Sequence, residues 1–259
     1  MSHPSQGRFV WMDLMTKDKD ADLAFFGALV GWTHHDQDMG EMGSYTMLSA
    51  GETGVGGLMP MPAEETAPSH WIGYCIVDDV EASIAAATAA GARVLMPPSP
   101  VPDVGTISVI ADPSGAVFAP MQAAADADMT PQTPSGPGCF VWWELVTDDV
   151  AAAQDFYAKV VGWGVHEIDM EGRPYWLWTR AADAMNPGGM LARPKGYAGP
   201  GFWLYYIWVE DVDAATARVD GLGGRVIAMP EDVPNQGRMS VIASPGGAQV
   251  ALFTPSVRR

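Results

Sequence analysis

The spacing of apolar and polar positions changes along the first 60 residues. "FVWMDLMT", which begins at Phe9, alternates well enough to predict a half-buried strand. "DKDADLAFFGALV" then predicts a helix, with Asp18 as its N-cap, acidic residues in its first turn and Gly31 at its end. Three short extended runs follow, "WTHHDQDM", "SYTMLSA" and "GVGGLMPMP", separated by glycine-rich turns. Together these segments predict a βαβββ unit.

The same order of elements begins again at Trp71. "WIGYCIV" predicts a strand and "DDVEASIAAATAA" a helix that Gly91 stops, and three more extended runs follow. The whole arrangement is then repeated. "FVWWELVTDDVAAAQDFYAKVVGW" from Phe140 matches the segment from Phe9 at eleven of 24 positions, at an offset of 140 − 9 = 131 residues. The chain therefore contains four βαβββ modules in two copies.

The duplication also predicts where the domains lie. We expect a first domain over residues 1–121 and a second over 138–259. Residues 122–137 include "AAADADMTPQTPSGPG", which is rich in Ala, Pro and Gly and poor in large apolar residues. That composition is typical of a linker.

Two motifs connect these modules to a known family. "TDDVAAAQDFYAKVVGW" and "ADPSGAVFA" resemble the first strand–helix segment and the last hairpin of the vicinal oxygen chelate superfamily. That superfamily includes glyoxalase I, bleomycin-resistance proteins and extradiol dioxygenases. The doubled "VGG" or "PGG" segment and the W-x-x-Y strands further resemble a tandem glyoxalase-like group that includes a mycobacterial antigen. The resemblance implies an α+β fold in which four modules pair into two glyoxalase-like domains, with curved mixed sheets that form half-open barrels.

The resemblance also implies a divalent metal in each cavity, and the residues at the expected ligand positions do not suit one. Counting from the helix caps and hairpin glycines maps these positions to Trp11, Trp142, Ile72, Leu204, Ala119 and Ala251. The remaining last-strand positions, near Gly56–Leu58 and Gly188–Met190, offer no carboxylate. Metal sites of this kind need several converging N or O donors, which these side chains lack. We therefore expect no metal and no cofactor.

Other side chains are expected to line the cavities instead. Strand alternation places Asp13 beside Trp11 and Glu144 beside Trp142. The tryptophans either fill the space of the missing metal or contact a ligand. The carboxylates either accept hydrogen bonds from neighbouring segments or act as general bases whose pKa is raised by burial. Tyr74 and Tyr206 are predicted to face inward as well, as core residues or as part of a site.

Two histidines occupy equivalent positions in the two copies, His35 and His166. A surface ion pair with the neighbouring Asp36 or Glu167 is one interpretation, and a base within a pocket is the other. The candidate catalytic residues are thus Glu144, Asp13 and His166. The candidate ligand-binding residues are Trp11, Trp142, Tyr74, Tyr206 and His35.

Composition narrows the choice of partners. A net charge of −17 argues against nucleic acid, whose phosphates attract basic surfaces. No run of about 18 apolar residues predicts a membrane span, and the start of the chain lacks a signal-peptide pattern. Two cysteines without a disulfide framework favour a reducing compartment, so we expect a cytoplasmic protein. A homodimer is compatible with the sequence, which leaves the oligomeric state open.

The function that these features favour is small-molecule binding without a metal, in aromatic-lined and partly acidic pockets. One alternative is a lyase or hydroxylase-type enzyme that acts on a carbonyl or aromatic substrate by acid–base chemistry. Another is sequestration of a cationic antibiotic, as in bleomycin resistance, which would suit the acidic chain. The second copy carries more strand aromatics, so it is the preferred ligand site.

Overall fold

The computed structural model describes residues 3–40, 43–62, 64–127, 136–180, 188–194, 196 and 199–256. The predicted linker falls partly outside the described residues, over 128–135. Everything that follows refers to the described parts of the chain.

Each of the four modules has the predicted βαβββ order. The first contains β1 (Phe9–Thr16), α1 (Lys19–Val30), β2 (Thr33–Asp38), β3 (Ser44–Ala50) and β4 (Thr53–Pro60). The second contains β5 (His70–Ile76), α2 (Val80–Ala89), β6 (Arg93–Val101), β7 (Gly105–Ala111) and β8 (Val117–Ala123). The third contains β9 (Phe140–Thr147), α3 (Val150–Val160), β10 (Gly164–Met170), β11 (Arg173–Thr179) and β12 (Gly189–Ala192). The fourth contains β13 (Phe202–Trp208), α4 (Val212–Arg218), a 3₁₀ turn (Asp220–Leu222), β14 (Arg225–Val233), β15 (Gly237–Ala243) and β16 (Gln249–Pro255).

The helices begin at aspartates, as the sequence predicts for Asp18. The Asp18 carboxylate accepts a hydrogen bond from the Ala21 backbone N–H at 3.0 Å. Equivalent caps are formed by Asp79, Asp149 and Asp211. Gly31 ends α1 with a φ of 77°, which confirms its predicted role as the C-cap. None of the helices built by the described residues is long and apolar enough to cross a bilayer.

The strands form two eight-stranded mixed sheets. Their orders are β2-β3-β4-β1-β5-β8-β7-β6 and β10-β11-β12-β9-β13-β16-β15-β14. In each module the first and last strands pair in parallel, whereas the hairpins pair antiparallel. The α+β fold and the two equivalent sheets confirm the predicted fold class.

The packing of the chain defines two compact units. The Asp13 unit comprises residues 11–72, 133–141 and 205–259, and the Glu144 unit comprises 1–10, 73–132 and 142–204. These units group modules by their contacts and do not test the domain boundaries, which stay a prediction.

A buried polar contact fixes a helix to a hairpin in each unit. In the Asp13 unit, the fully buried Asp22 carboxylate accepts from Thr16 Oγ1 at 2.5 Å and from the Gly246 backbone N–H at 3.0 Å. In the Glu144 unit, the Tyr157 hydroxyl donates to Asp112 Oδ2 at 3.0 Å. Because a buried polar group without a partner costs free energy, each contact holds its helix in one position.

The segments that lead into the two site-bearing strands are also anchored. The Trp163 indole N–H donates to the Gly7 carbonyl oxygen at 2.8 Å, two residues before β1. The Trp32 indole N–H donates to the Gly138 carbonyl oxygen at the same distance, two residues before β9. These matching bonds fix where each strand begins, and thereby the positions of the side chains that follow.

Candidate functional site

The first candidate site is a cluster of three side chains in the Asp13 unit. The Asp13 cluster consists of Trp11 and Asp13 from β1 and Tyr45 from β3. The Trp11 indole N–H is shared between the Tyr45 oxygen at 2.7 Å and Asp13 Oδ1 at 3.1 Å. The Tyr45 hydroxyl in turn donates to Asp13 Oδ1. Asp13 is only 3% exposed, so its carboxylate depends on these donors in place of water.

The second candidate site repeats this arrangement in the Glu144 unit. The Glu144 cluster consists of Trp142 and Glu144 from β9 and Tyr175 from β11. The Trp142 indole N–H donates to the Tyr175 oxygen, and the Tyr175 hydroxyl donates to Glu144 Oε1, both at 2.9 Å. Glu144 is 5% exposed, whereas Trp142 and Tyr175 are half-buried. The cluster thus combines a buried carboxylate with partly accessible aromatic rings.

A glycine on the adjacent strand gives each tyrosine room to reach its carboxylate. Gly57 on β4 pairs with Asp13, and Gly189 on β12 pairs with Glu144. A Cβ atom on either glycine would overlap the hydroxyl of Tyr45 or Tyr175. Both glycines lie at the last-strand positions that the family resemblance assigns to a metal ligand. A phenol therefore occupies the space where a side chain on that strand would lie.

The Tyr175 phenol is held in its neutral form. Burial raises the pKa of Tyr175, and the nearby Glu144 carboxylate raises that pKa further. At neutral pH the hydroxyl keeps its proton, so it acts as the donor toward Glu144.

Sequence analysis paired the tryptophans with the carboxylates but missed both tyrosines. The repeat offset of 131 residues carries Tyr45 to Trp176, one residue beyond Tyr175. The signal that could have found them is the fixed register between the third and last strands. In that register Met47 faces Gly57 and Leu177 faces Gly189, so each tyrosine lies two residues before its glycine's partner.

The other two candidate tyrosines lie on the first strand of the second and fourth modules. Tyr74 pairs with Ala119 within the Glu144 unit, and Tyr206 pairs with Ala251 within the Asp13 unit. The Tyr206 hydroxyl lies 3.7 Å from the Met239 sulfur. Both tyrosines thus neighbour the alanines that stand where a metal carboxylate was expected. Their role in ligand binding stays a prediction.

His35 and His166 are exposed on β2 and β10. The carboxylates next to them in sequence have other described partners. Asp36 forms an ion pair with Lys19 at 2.8 Å, and Glu167 accepts from the Trp176 indole N–H at 3.1 Å. The ion-pair interpretation of these histidines therefore gains no support, and their role in a pocket remains a prediction.

The residues at the mapped ligand positions do not fit a divalent ion. The indole N–H groups of Trp11 and Trp142 are donors already used within their clusters. The remaining mapped side chains are buried and aliphatic: Ile72, Leu204, Ala119 and Ala251. Within the described ranges, no group of three or more His, Cys, Asp or Glu residues is placed to hold a metal. The donor set thus differs from that of a typical protein metal site.

Comparison with known proteins agrees with the duplicated architecture. Residues 10–119 match the model of a glyoxalase-like domain. Residues 140–252 match that of the Glyoxalase/Bleomycin resistance protein/Dioxygenase superfamily. The chain is 34% identical over 254 residues to the Mycobacterium tuberculosis protein named "Putative glyoxylase CFP32", covering 97% of this chain and 96% of that one. It is 30% identical over 263 residues to the anthracycline biosynthesis protein DnrV of Streptomyces peucetius, covering 96% and 93%.

Solved structures share the fold at low sequence identity. The 2,3-dioxygenase LapB from Pseudomonas sp. KL28 superposes with a TM-score of 0.62 at 13% identity, covering 96% of this chain and 93% of that chain. The Mn(II)-bound glyoxalase from Novosphingobium aromaticivorans gives 0.63 at 18% identity, covering 98% and 83%. From the repeated βαβββ modules, the two equivalent sheets and the similarity over the full length, we conclude that this chain belongs to the glyoxalase/bleomycin resistance/dioxygenase superfamily.

Proposed function

We propose that this protein binds a planar aromatic small molecule without a metal ion, against the Trp–Tyr–carboxylate clusters. The observation that carries the proposal is that both copies place an aromatic, hydrogen-bonded carboxylate where the superfamily pattern calls for metal ligands. Each cluster contains its own donors for the carboxylate charge, so the charge needs no cation to be stable.

The Glu144 cluster supports an aromatic ligand in particular. Trp142 and Tyr175 are half-buried, so part of each ring surface is available for stacking. The neighbouring Trp143 and Trp176 are also half-buried. A relative that is 30% identical is named for anthracycline biosynthesis, and anthracyclines are planar polycyclic compounds. We therefore expect a ligand of similar shape and size.

A binding titration tests this proposal directly. Protein dialysed against EDTA is titrated with an anthracycline aglycone, and tryptophan fluorescence and isothermal calorimetry are recorded. We expect saturable binding without product formation, weakened at least about tenfold by Trp142→Ala, since a stacking aromatic contributes about 1–3 kcal/mol. Trp176→Ala, which removes a half-buried tryptophan outside the cluster, is the matched control and should have little effect. Binding that requires added Mn²⁺ or Zn²⁺, or that Trp142→Ala leaves unchanged, would contradict the proposal.

A second candidate function is acid–base catalysis at the same cluster. The observation that favours it is the contact between the buried Glu144 carboxylate and a neutral phenol, since one can accept a proton and the other donate one. Asp13 and Tyr45 form the same pair in the first copy. Turnover of a 1,2-dicarbonyl or hydroxylated aromatic substrate that is lost in Glu144→Gln would support this function. Equal turnover by wild type and Glu144→Gln would argue against it.

A further inference from the structure

We infer that both clusters select ligands that present a hydrogen-bond donor, above all a protonated amine, and discriminate against anionic ligands. This inference rests on the proposed binding function and specifies the chemistry of its ligand. It follows from the direction of the hydrogen bonds within each cluster.

The donors of the Glu144 cluster are all directed inward. An indole has one N–H, a phenol has one O–H and an ionised carboxylate has none. The Trp142 N–H is directed at Tyr175, and the Tyr175 O–H is directed at Glu144. The cluster therefore has no donor left to offer a ligand, whereas oxygen lone pairs can accept more than one bond each.

The Asp13 cluster has the same polarity through a different set of bonds. The Trp11 N–H is shared between Tyr45 and Asp13, and the Tyr45 O–H is directed at Asp13. Its single N–H and single O–H are again directed inward. The two copies thus differ in carboxylate length and in bonding pattern but agree in presenting acceptors and negative charge.

Charge acts in the same direction as hydrogen bonding. A carboxylate that is 3–5% exposed is weakly screened by water, so a nearby cation is attracted more strongly than at the surface. The half-buried faces of Trp142 and Tyr175 attract cations as well. The net charge of −17 raises the local concentration of cationic ligands over anionic ones. A ligand carboxylate would meet repulsion and no donor.

The test uses three probes with one ring system: 2-naphthylmethylammonium, 2-naphthylmethanol and 2-naphthoate. Their affinities are measured by ligand-observed NMR and calorimetry at low ionic strength. We expect the ammonium probe to bind tightest, the alcohol next and the carboxylate weakest, with at least about a tenfold gap between the two charged probes, because like-charge juxtaposition at a binding site is strongly unfavourable.

Variants locate the source of that preference. Asp13→Asn with Glu144→Gln should reduce the gap to about twofold or less, because both buried charges are removed while size is kept. Each single variant should lose one of two ammonium sites, which keeps the test usable if the double variant does not fold. Tyr175→Phe should keep the preference, since the carboxylate remains. The matched control Glu210→Gln removes one exposed charge and should leave the gap unchanged.

The outcomes separate the inference from the proposed function. Binding of all three probes with equal affinity, or tightest binding of the carboxylate, overturns the inference and leaves the binding function standing. A gap that persists in folded Asp13→Asn/Glu144→Gln protein also overturns the inference, because its source then lies outside the clusters. Failure of every aromatic probe to bind overturns the proposed function itself.

Discussion

The Asp13 cluster and the Glu144 cluster are two solutions to one problem, a carboxylate buried on the first strand of a module. The shorter Asp13 side chain allows Trp11 to donate both to it, at 3.1 Å, and to Tyr45. In the Glu144 cluster the described bonds run in series, from Trp142 to Tyr175 and from Tyr175 to Glu144. A difference of one methylene group is thus absorbed by a change in hydrogen bonding.

The features that the two clusters share indicate what matters in them. Both have a tryptophan two residues before the carboxylate, a tyrosine from the third strand and a glycine opposite the carboxylate. The exact route of the bonds differs, whereas their direction toward the carboxylate is the same. The arrangement therefore supports the negative group while keeping the aromatic rings next to it.

The largest effect is expected from filling the space above the glycines. Gly189→Ala places a methyl group against the Tyr175 hydroxyl and should lower the free energy of unfolding by about 1–3 kcal/mol. Gly57→Ala should cost at least as much, because its Cβ would also crowd the Asp13 carboxylate. Urea unfolding followed by circular dichroism measures both.

A matched control for these variants is Gly221→Ala. A Cβ at Gly221 meets no atom within 4 Å, and Gly221 is not among the glycines with positive φ. Its unfolding midpoint should stay the same or rise slightly. A midpoint for Gly189→Ala equal to that of Gly221→Ala would refute the close approach of Tyr175.

The next effect separates the two clusters. Tyr175→Phe should cost about 1–3 kcal/mol, because it removes the described acceptor of Trp142 and a donor to the buried Glu144. Tyr45→Phe should cost about half as much, since Trp11 still donates to Asp13 directly. Thermal and urea unfolding of the two variants, measured side by side, test this order. Equal losses would show that the difference in bonding pattern has no energetic weight.

The smallest effect at neutral pH grows in alkaline solution. The pKa of Tyr175 is raised in the folded protein, so the unfolded chain loses this proton first. Above about pH 10, the ordinary pKa of tyrosine, the folded state should therefore lose about 1.4 kcal/mol of stability per pH unit from this group. Tyr175→Phe should lack that contribution, so its stability should fall less steeply between pH 10 and the onset of alkaline unfolding. Parallel slopes for wild type and variant would contradict the raised pKa.

Much of the fold was predictable because it depends on local patterns. The period-2 strands, the aspartate caps and the glycine after α1 are encoded within a few residues of each other, and the repeat shows each twice. The same alternation correctly placed Trp11 with Asp13. For Trp142 and Glu144 the link runs through Tyr175, which the sequence pattern did not indicate.

The tyrosines could not be found by the repeat alone because strand register decides their position. β3 and β4 contain a register shift between Leu48 and Ser49. The offset between copies changes from 131 at Trp11 to 130 at Tyr45, so direct alignment points to the wrong residue. Which side chain reaches across a sheet depends on pairing between distant segments, and a single sequence does not state that pairing.

The most direct test of metal-free binding is a titration of the protein into Mn²⁺, followed by electron paramagnetic resonance at physiological ionic strength. The signal of free hexaaqua Mn²⁺ reports how much of the ion remains unbound. We predict that this signal stays undiminished at protein concentrations that bind the aromatic ligand. A stoichiometric loss of the signal that saturates at one or two ions per chain would contradict the account.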